Sequence, residues 1–218
     1  MPKGPFQPCD SLPSERARGL VWASVFRSAA DEVAKGGVIT GTPTINHGAT
    51  LNGTTDYITY ALNGQLNLGT IGIHCEFWPD FDYDEDASRY LFNTTNLKKY
   101  YLLKDDNAAS NVLTISLGNT TITNIAAATY SALWNQSGRN LITISGTTGA
   151  TDAWLNGTQI LTAGATAWTA AAPTTLYVGS KHDTTEKFDG KITRLQFYNT
   201  LLTSGEHLDV WESGKYSW

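Results

Sequence analysis

The residues best suited to chemistry lie in one acidic stretch, residues 80–86, which reads Asp-Phe-Asp-Tyr-Asp-Glu-Asp. Carboxylates at alternate positions are hard oxygen ligands of the kind that wrap a calcium ion. An EF-hand loop needs Gly at its sixth position and Glu at its twelfth, but this chain has Glu85 and Leu91 there. A looser calcium site therefore stays open, beside the alternative of a solvated acidic loop without metal. The ligands of such a site would be Asp80, Asp82, Asp84 and Asp86.

A second group of chemically competent residues lies just before this stretch. Residues 71–78 alternate as a strand would, which places His74 and Glu76 on the same face. Such a pair is able to do acid–base work, although a polar pair on an exposed sheet face is the simpler interpretation. Glycosidases use paired carboxylates, and those that retain configuration hold them about 5 Å apart. Pro79 should break the strand ladder, so we expect Glu76 and Asp80 to lie on different faces.

Aromatic side chains are the third candidate group, because flat rings can stack on sugars or other ligands. The chain has 7 tryptophans and 10 tyrosines, and most of them lie in apolar runs. Trp22 and Trp154 are expected to be packing residues. Tyr83, in the acidic stretch, and Trp168, in a loop rich in Ala and Thr, are the predicted ligand-binding residues.

Composition excludes several classes of protein. The formal net charge of −5 argues against a nucleic-acid partner, since such proteins need basic surfaces. No apolar run approaches the roughly 18 residues of a membrane span, so no membrane partner is expected. The chain contains no G-x-S-x-G, H-E-x-x-H or P-loop motif. Two cysteines, Cys9 and Cys75, do not make a disulfide framework, and their pairing stays open. Because the chain contains none of these catalytic motifs, we expect that it is not an enzyme.

The elements that must position these residues are short strands. Only 16% of the residues are charged, while 30 are threonine and 14 are asparagine, a composition that favours strands and turns. Asn156-Gly157 between two apolar runs predicts a type I′ hairpin. Thr203 and Glu206 form a capping box that begins one short C-terminal helix, expected to pack Leu208 and Trp211 on the sheet. About a dozen strands without long helices predict an all-β sandwich of two antiparallel sheets.

The ordered segments of the chain resemble the concanavalin A-like and laminin-G-like jelly rolls, especially the stand-alone type of bacterial surface and phage virion proteins. Residues 48–58 are similar to the family's A-x-x-F-D-G-x-x-D-Y-V strand and turn, with Asn52 in place of the usual Asp. Further similar segments are 76–78, 140–144, 153–157, 176–179, 188–199 and 201–206. The resemblance implies a jelly-roll fold and leaves function open, since one fold hosts many functions.

Residues 1–18 contain four prolines and are predicted to be an extended arm, followed by a single jelly-roll domain over 19–218. Met1 and the lack of an apolar signal core favour a whole gene product. We expect the arm to anchor the protein to a partner. The anchoring residues would be Pro2, Pro5, Phe6 and Pro8.

Three function classes follow from these features. The first is a virion surface protein, a phage capsid decoration or tail-fibre component, whose partners are a capsid or tail protein and further copies in a homo-oligomer. The second is a carbohydrate-binding module or adhesin of a cell surface, with a glycan as its partner. The third is a glycan-cleaving enzyme, which the absence of a paired-carboxylate strand disfavours. The first class is the prediction, with glycan contact as a secondary role.

Overall fold

The computed structural model describes residues 19–95, 100–106, 110–118, 121–162 and 168–214. Within these residues the chain is mainly β-strand, with three short α-helices and one 3-10 helical turn at Ser131–Leu133. The helices are α1 (Ala29–Ala34), α2 (Ala127–Tyr130) and α3 (Ser204–Gly214). The strands are β1 (Leu20–Ser24), β2 (Gly37–Thr40), β3 (Thr44–Ile45), β4 (Ala49–Asn52), β5 (Tyr57–Ala61), β6 (Thr70–Pro79), β7 (Arg89–Thr94), β8 (Tyr101–Asp105), β9 (Val112–Leu117), β10 (Thr121–Ile125), β11 (Asn140–Thr147), β12 (Ala150–Leu155), β13 (Thr158–Leu161), β14 (Thr175–Val178) and β15 (Asp189–Tyr198).

These strands form two antiparallel sheets that pack face to face. The eight-stranded sheet has the order β13-β12-β11-β6-β15-β4-β3, and β1 pairs with β15 beside β4. The seven-stranded sheet has the order β10-β9-β8-β7-β14-β5-β2. The predicted all-β sandwich with a short C-terminal helix is confirmed. No helix among the described residues is long and apolar enough to span a membrane.

The core lies between the sheets and contains side chains from both. Ile73, Cys75 and Phe77 of β6 are at most 1% exposed, and they belong to one cluster with Phe92 of β7 and Ile115 of β9. The two-residue alternation predicted for β6 therefore places its apolar face inward, as strand geometry requires. Cys75 is a free thiol, and its burial raises its pKa above the ordinary value. Its candidate partner Cys9 lies outside the described residues.

Local turn and cap signals also formed as predicted. Asn156 and Gly157 have φ values of 53° and 80°, the positive values that a type I′ hairpin requires between β12 and β13. The capping box is present, since the Thr203 amide donates to a Glu206 carboxylate oxygen at 2.7 Å and the Glu206 amide donates to Thr203 Oγ1 at 3.3 Å.

The contact between α3 and the sandwich differs from the prediction. Leu208, expected to pack inward, is 48% exposed, whereas His207 is 1% exposed. The His207 ring stacks on Trp154 of β12 with a centroid distance of 3.5 Å, and its Nδ1 pairs with the Thr143 hydroxyl of β11. The helix therefore covers part of the outer face of the eight-stranded sheet, with a histidine as its main buried contact.

Candidate functional site

A solvent-accessible cleft lies on the outer side of the eight-stranded sheet, at the end of β6. Its volume is about 430 Å³, within the size range of clefts that hold small organic ligands. Among its described lining residues the half-exposed Trp78 is the one aromatic side chain, and carboxylate, ammonium and hydroxyl groups surround it. The residues that line it are Thr50, Trp78, Asp80, Ser137 and Lys191.

Three neighbouring strands place the central residues of this cleft in one row. Lys191 of β15 lies opposite Trp78 of β6 on one side and opposite Thr50 of β4 on the other. The alternate residues of β4, Ala49 and Leu51, are buried in the core. Strand alternation therefore turns Thr50 outward, where it is exposed, and it turns its register partner Lys191 to the same outer face.

Two glycines make room in this row, one for the backbone of β6 beside β15 and the other for the side chain of Lys191. A Cβ at Gly190, which has φ of 124°, would lie 2.2 Å from the Trp78 carbonyl oxygen and 2.9 Å from the Asp80 amide nitrogen. Gly48, with φ of 140°, leaves room for Cε of Lys191, which a Cβ there would approach to 2.2 Å. Only glycine adopts these φ values without strain, so the floor of the cleft depends on both residues.

The first cleft adjoins a second one of about 330 Å³. Thr50 and Asp80 line both, so the two clefts are lobes of one groove, which we call the Trp78 lobe and the threonine lobe. The threonine lobe is lined by Thr42, Thr44, Thr50, Leu51, Asn52, Asp56, Asp80 and Asp189. The lining side chains carry hydroxyl, carboxylate and amide groups, apart from Leu51, whose side chain is buried in the core.

A tight turn after β4 fixes the threonine lobe. The Asn52 side-chain oxygen accepts hydrogen bonds from the amides of Thr54, Thr55 and Asp56 at 3.0, 2.9 and 3.2 Å. Asp56 is 3% exposed, and its Oδ1 accepts from the Thr42 amide at 2.9 Å and from the Thr55 hydroxyl at 3.0 Å. The asparagine that departs from the family pattern thus acts as the turn former, as Asx turns do.

The groove carries an excess of negative charge. Asp56, Asp80 and Asp189 line it, whereas Lys191 is the one basic residue among its described lining residues. Burial raises the pKa of Asp189 above its ordinary value, the nearby Arg89 opposes this, and the carboxylates of Asp80 and Glu85 add to it. The carboxylates in and beside this groove are therefore close enough to repel one another electrostatically.

Two cations of the protein itself contact the acidic stretch that precedes β7. Arg89 donates two hydrogen bonds to the Glu85 carboxylate, at 3.0 and 2.7 Å. The buried Lys104 donates to the carbonyl oxygens of Glu85 and Ala87 and to Asn111 Oδ1. The structure therefore offers the loop two protein cations in the place where the sequence suggested calcium.

The predicted calcium ligands do not form a metal site in this structure. Among the described residues, no group of three or more His, Cys, Asp or Glu side chains is arranged to hold a metal ion. Of the four predicted ligands, Asp80 turns to the groove. The other three predicted ligands, Asp82, Asp84 and Asp86, lie in the segment between β6 and β7. The calcium interpretation receives no support from the geometry.

The predicted stacking residues lie away from the groove. Trp168 is 1% exposed and packs edge-on against Tyr100 within the core, so its ring has no face open to a ligand. Tyr83 is half-buried, rests against the core and contacts Tyr130 edge-on at 6.3 Å between ring centroids. The predicted anchors Pro2, Pro5, Phe6 and Pro8 lie outside the described residues.

The His74 and Glu76 pair shares a sheet face as predicted, but that face is covered. His74 is 4% exposed and Glu76 is 3% exposed. Glu76 forms ion pairs with Arg139 and, at 3.8 Å, with Arg194. The expectation of an exposed polar pair is wrong because α3 and Arg139 enclose this part of the sheet. One oxygen of the Glu76 carboxylate faces Arg139 and the other faces Arg194, so this carboxylate is engaged by the protein itself.

Sequence reasoning did not single out Trp78 as a candidate ligand contact. The prediction that Pro79 ends the ladder is wrong, because β6 runs through Pro79. The pairing of β6 with β11 ends at Phe77, and the Pro79 carbonyl instead accepts from the Ser137 amide at 2.7 Å. Proline has no backbone N–H to donate, but no hydrogen bond between β6 and β11 is lost, because these strands are no longer paired at Pro79. The alternation of residues 71–78 already placed Trp78 on the outer face, and that was the usable signal.

Comparison with known proteins shows what the fold is similar to. No family model and no curated protein matches the chain. Domain 4 of AbnA, a GH43 extracellular arabinanase from Geobacillus stearothermophilus solved with arabinotriose, superposes with a TM-score of 0.67 at 16% identity. That match covers 88% of this chain and 98% of the domain.

Two further similar structures are parts of larger proteins. Trypanosoma rangeli sialidase in complex with sialic acid matches with a TM-score of 0.61 at 12% identity, over 83% of this chain and 30% of that one. A structure of botulinum neurotoxin type C, whose cell entry depends on two ganglioside molecules, matches with a TM-score of 0.62 at 12% identity. Here 83% of this chain and 47% of the other are covered. At these identities the likeness shows the fold alone, a β-sandwich shared with carbohydrate-binding domains.

Proposed function

We propose that this protein is a glycan-binding protein without catalytic activity, and that it holds its ligand in the groove that contains Trp78. The observation that carries the proposal is the half-exposed Trp78 at the wall of a cleft otherwise lined by hydrogen-bonding groups. Sugars present C–H faces that pack on aromatic rings and hydroxyls that bond to carboxylates, amines and hydroxyls. A concave site with one aromatic surface and a few convergent polar groups suits such a ligand.

The similar structures support this proposal through their fold. One of them is a domain solved with arabinotriose, and another belongs to a toxin that interacts with gangliosides. The absence of catalysis is part of the proposal, and its support is the engaged state of Glu76 under α3. Release of reducing ends from a bound glycan would overturn that part, and loss of such release in Asp80→Asn would place a reaction in the groove.

The test is to find a bound glycan on an array with the full chain and then to measure its affinity for variants by calorimetry. Trp78→Ala should weaken binding about tenfold or more, since removal of a central aromatic contact commonly costs over 1.4 kcal/mol. Tyr177→Ala is the matched control. Tyr177 is a half-exposed aromatic residue on the outer face of the seven-stranded sheet, between the core residues Leu176 and Val178.

The outcomes are distinct. Weakened binding in Trp78→Ala with wild-type affinity in Tyr177→Ala supports the proposed site. Wild-type affinity in a folded Trp78→Ala contradicts it, and loss of binding in Tyr177→Ala alone would move the site to the other sheet. Melting temperatures of both variants separate lost binding from lost folding.

Placement of the protein on a virion surface, with a capsid or tail partner, is also a proposal. Its support is the proline-rich sequence of residues 1–18 together with the sequence resemblance to surface and virion jelly rolls. A cell-surface adhesin is the alternative location. The truncation experiment described in the Discussion tests the anchoring role.

A further inference from the structure

We propose that the ligand is an uncharged oligosaccharide chain that occupies both lobes of the groove, and that the groove discriminates against anionic glycans. This inference rests on the proposed function and goes further by naming the class of glycan. It follows from the shape of the groove and from the charges that line it.

The shape of the groove indicates a chain and not a single sugar. The Trp78 lobe and the threonine lobe have volumes of about 430 and 330 Å³ and share Thr50 and Asp80 as common lining residues. Each lobe alone is of a size that accepts a small organic molecule. A ligand that continues from one lobe into the other has at least two linked sugar residues, one beside Trp78 and the next among the threonine hydroxyls.

The polar groups of the groove suit a neutral ligand rich in hydroxyls. Asp80 is exposed at the junction of the lobes, so its carboxylate is available as an acceptor for sugar hydroxyl groups. Lys191 provides a donor beside Trp78, and the side chains of Thr42 and Thr44 both donate and accept. None of these polar groups requires a charged group on the ligand.

The net charge of the groove opposes a negative ligand. A sialic acid or uronic acid carboxylate placed there meets Asp80, Asp189 and the buried Asp56, against the single ammonium group of Lys191. Arg89 offsets this negative charge only in part, because its guanidinium group is paired with the Glu85 carboxylate and also donates to the carbonyl oxygens of Gly53 and Lys187. Anionic sugars are usually held by bidentate arginine, and the described lining of the groove offers none.

The test compares neutral and anionic forms of the same glycan, which differ only in whether their carboxyl groups are esterified or free. The first pair is the methyl ester of sialyllactose and free sialyllactose, and the second is methyl-esterified and free galacturonic acid oligomers. A third series is arabinose oligosaccharides of one to four residues. Binding to the wild-type chain and to Asp80→Asn/Asp189→Asn is measured by calorimetry at low and high salt. The double variant removes two negative charges with little change in side-chain volume.

In whichever pair binds the wild type, the neutral member should bind about tenfold tighter than its anionic partner. That ratio should shrink in the double variant and at high salt, since screening weakens the repulsion. In the series that binds, affinity should rise from one residue to two or three. Anionic glycans that bind as tightly as neutral ones would overturn the charge argument, and a monosaccharide as tight as its trimer would overturn the two-lobe argument.

These results separate the inference from the proposed function. Trp78-dependent binding of anionic glycans would refute the inference and leave the proposed function standing. If no glycan of either class binds, on these probes or on the array, both are refuted.

Discussion

Single residues decide whether the groove can exist, and Gly190 is the clearest of them. It stands between two groove residues, Asp189 and Lys191, where β15 passes close to β6. Its φ of 124° and the nearby Trp78 carbonyl oxygen leave no space for a side chain. The atoms in the way are backbone atoms, which cannot rotate aside as the end of a long side chain can. The local geometry of the groove therefore depends on the absence of a Cβ atom at position 190.

Gly190→Ala should destabilise the protein by about 2 kcal/mol or more, because it adds a strained φ to a backbone clash. Urea unfolding followed by tryptophan fluorescence measures the change, and any folded variant should also bind glycan more weakly. The control is Gly205→Ala, where a Cβ meets nothing within 4 Å. Alanine there should be neutral or stabilise the protein by up to about 1 kcal/mol. Equal stability of the two variants would contradict this account.

At the scale of an element, α3 determines which part of the eight-stranded sheet is open. Arg139 lies over the Trp211 ring at 4.4 Å, donates to the Trp211 carbonyl oxygen at 3.0 Å and forms an ion pair with Glu76. His207 stacks on Trp154 in the same covered area. The covered part of the sheet thus holds Glu76, while the uncovered end holds the groove. The helix therefore divides one sheet face into a covered half and an open half that contains the groove.

Burial lowers the pKa of His207 to about 4 from its ordinary 6.5, although the Leu202 backbone and the carboxylates of Glu206 and Asp152 oppose this. Between these two pH values the unfolded chain binds a proton that the folded protein does not. Stability should therefore fall as the pH drops from about 6.5 towards 4, by at most about 1.4 kcal/mol for each pH unit from this group. Above pH 6.5 the group is neutral in both states and adds no slope.

The matched variant for this prediction is His207→Phe, which keeps a ring on Trp154 and cannot be protonated. Urea unfolding at several pH values from 7 to 4.5 gives the slope for both proteins. The wild type should lose more stability than His207→Phe across this window. Identical slopes would show that His207 does not titrate differently in the two states. Carboxylates contribute equally to both proteins, so that the difference isolates the histidine.

At the scale of the whole molecule, the first and last described strands close the sandwich together. β1 pairs with the second half of β15, while β4 pairs with the first half. Trp22 of β1 is 2% exposed and contacts Tyr60 and Phe197 edge-on, at 5.1 and 5.8 Å between ring centroids. The sandwich therefore depends on a segment that begins directly after the proline-rich residues 1–18.

Deletion of residues 2–18 should leave a folded sandwich that still binds glycan but no longer cosediments with virus particles. Deletion of residues 2–24 should destabilise the fold by several kcal/mol, because it removes β1 and leaves a cavity where Trp22 packs. Thermal melting, glycan binding and cosedimentation measure the three properties. Particle binding by the shorter deletion would refute the anchoring role of the arm. A stable fold in the longer deletion would refute the structural role of β1.

Much of the fold could be predicted because its signals are local. The alternation of Ile73, Cys75 and Phe77 follows from strand geometry. The Asn156-Gly157 turn follows from positive φ, and the capping box of Thr203 and Glu206 from two hydrogen bonds within one helical turn. Each of these features needs only residues close together in the chain, so the sequence by itself determined them.

The groove was decided by tertiary structure, because its residues come from strands far apart in the chain. Thr50, Trp78 and Lys191 become neighbours only through the register of β4, β6 and β15. The burial of Trp168 and the cover over Glu76 likewise depend on packing between distant segments. Composition and spacing report which residues are present and which way a strand turns them. Only the paired sheets decide which outward side chains meet one another, and which of them the last helix covers.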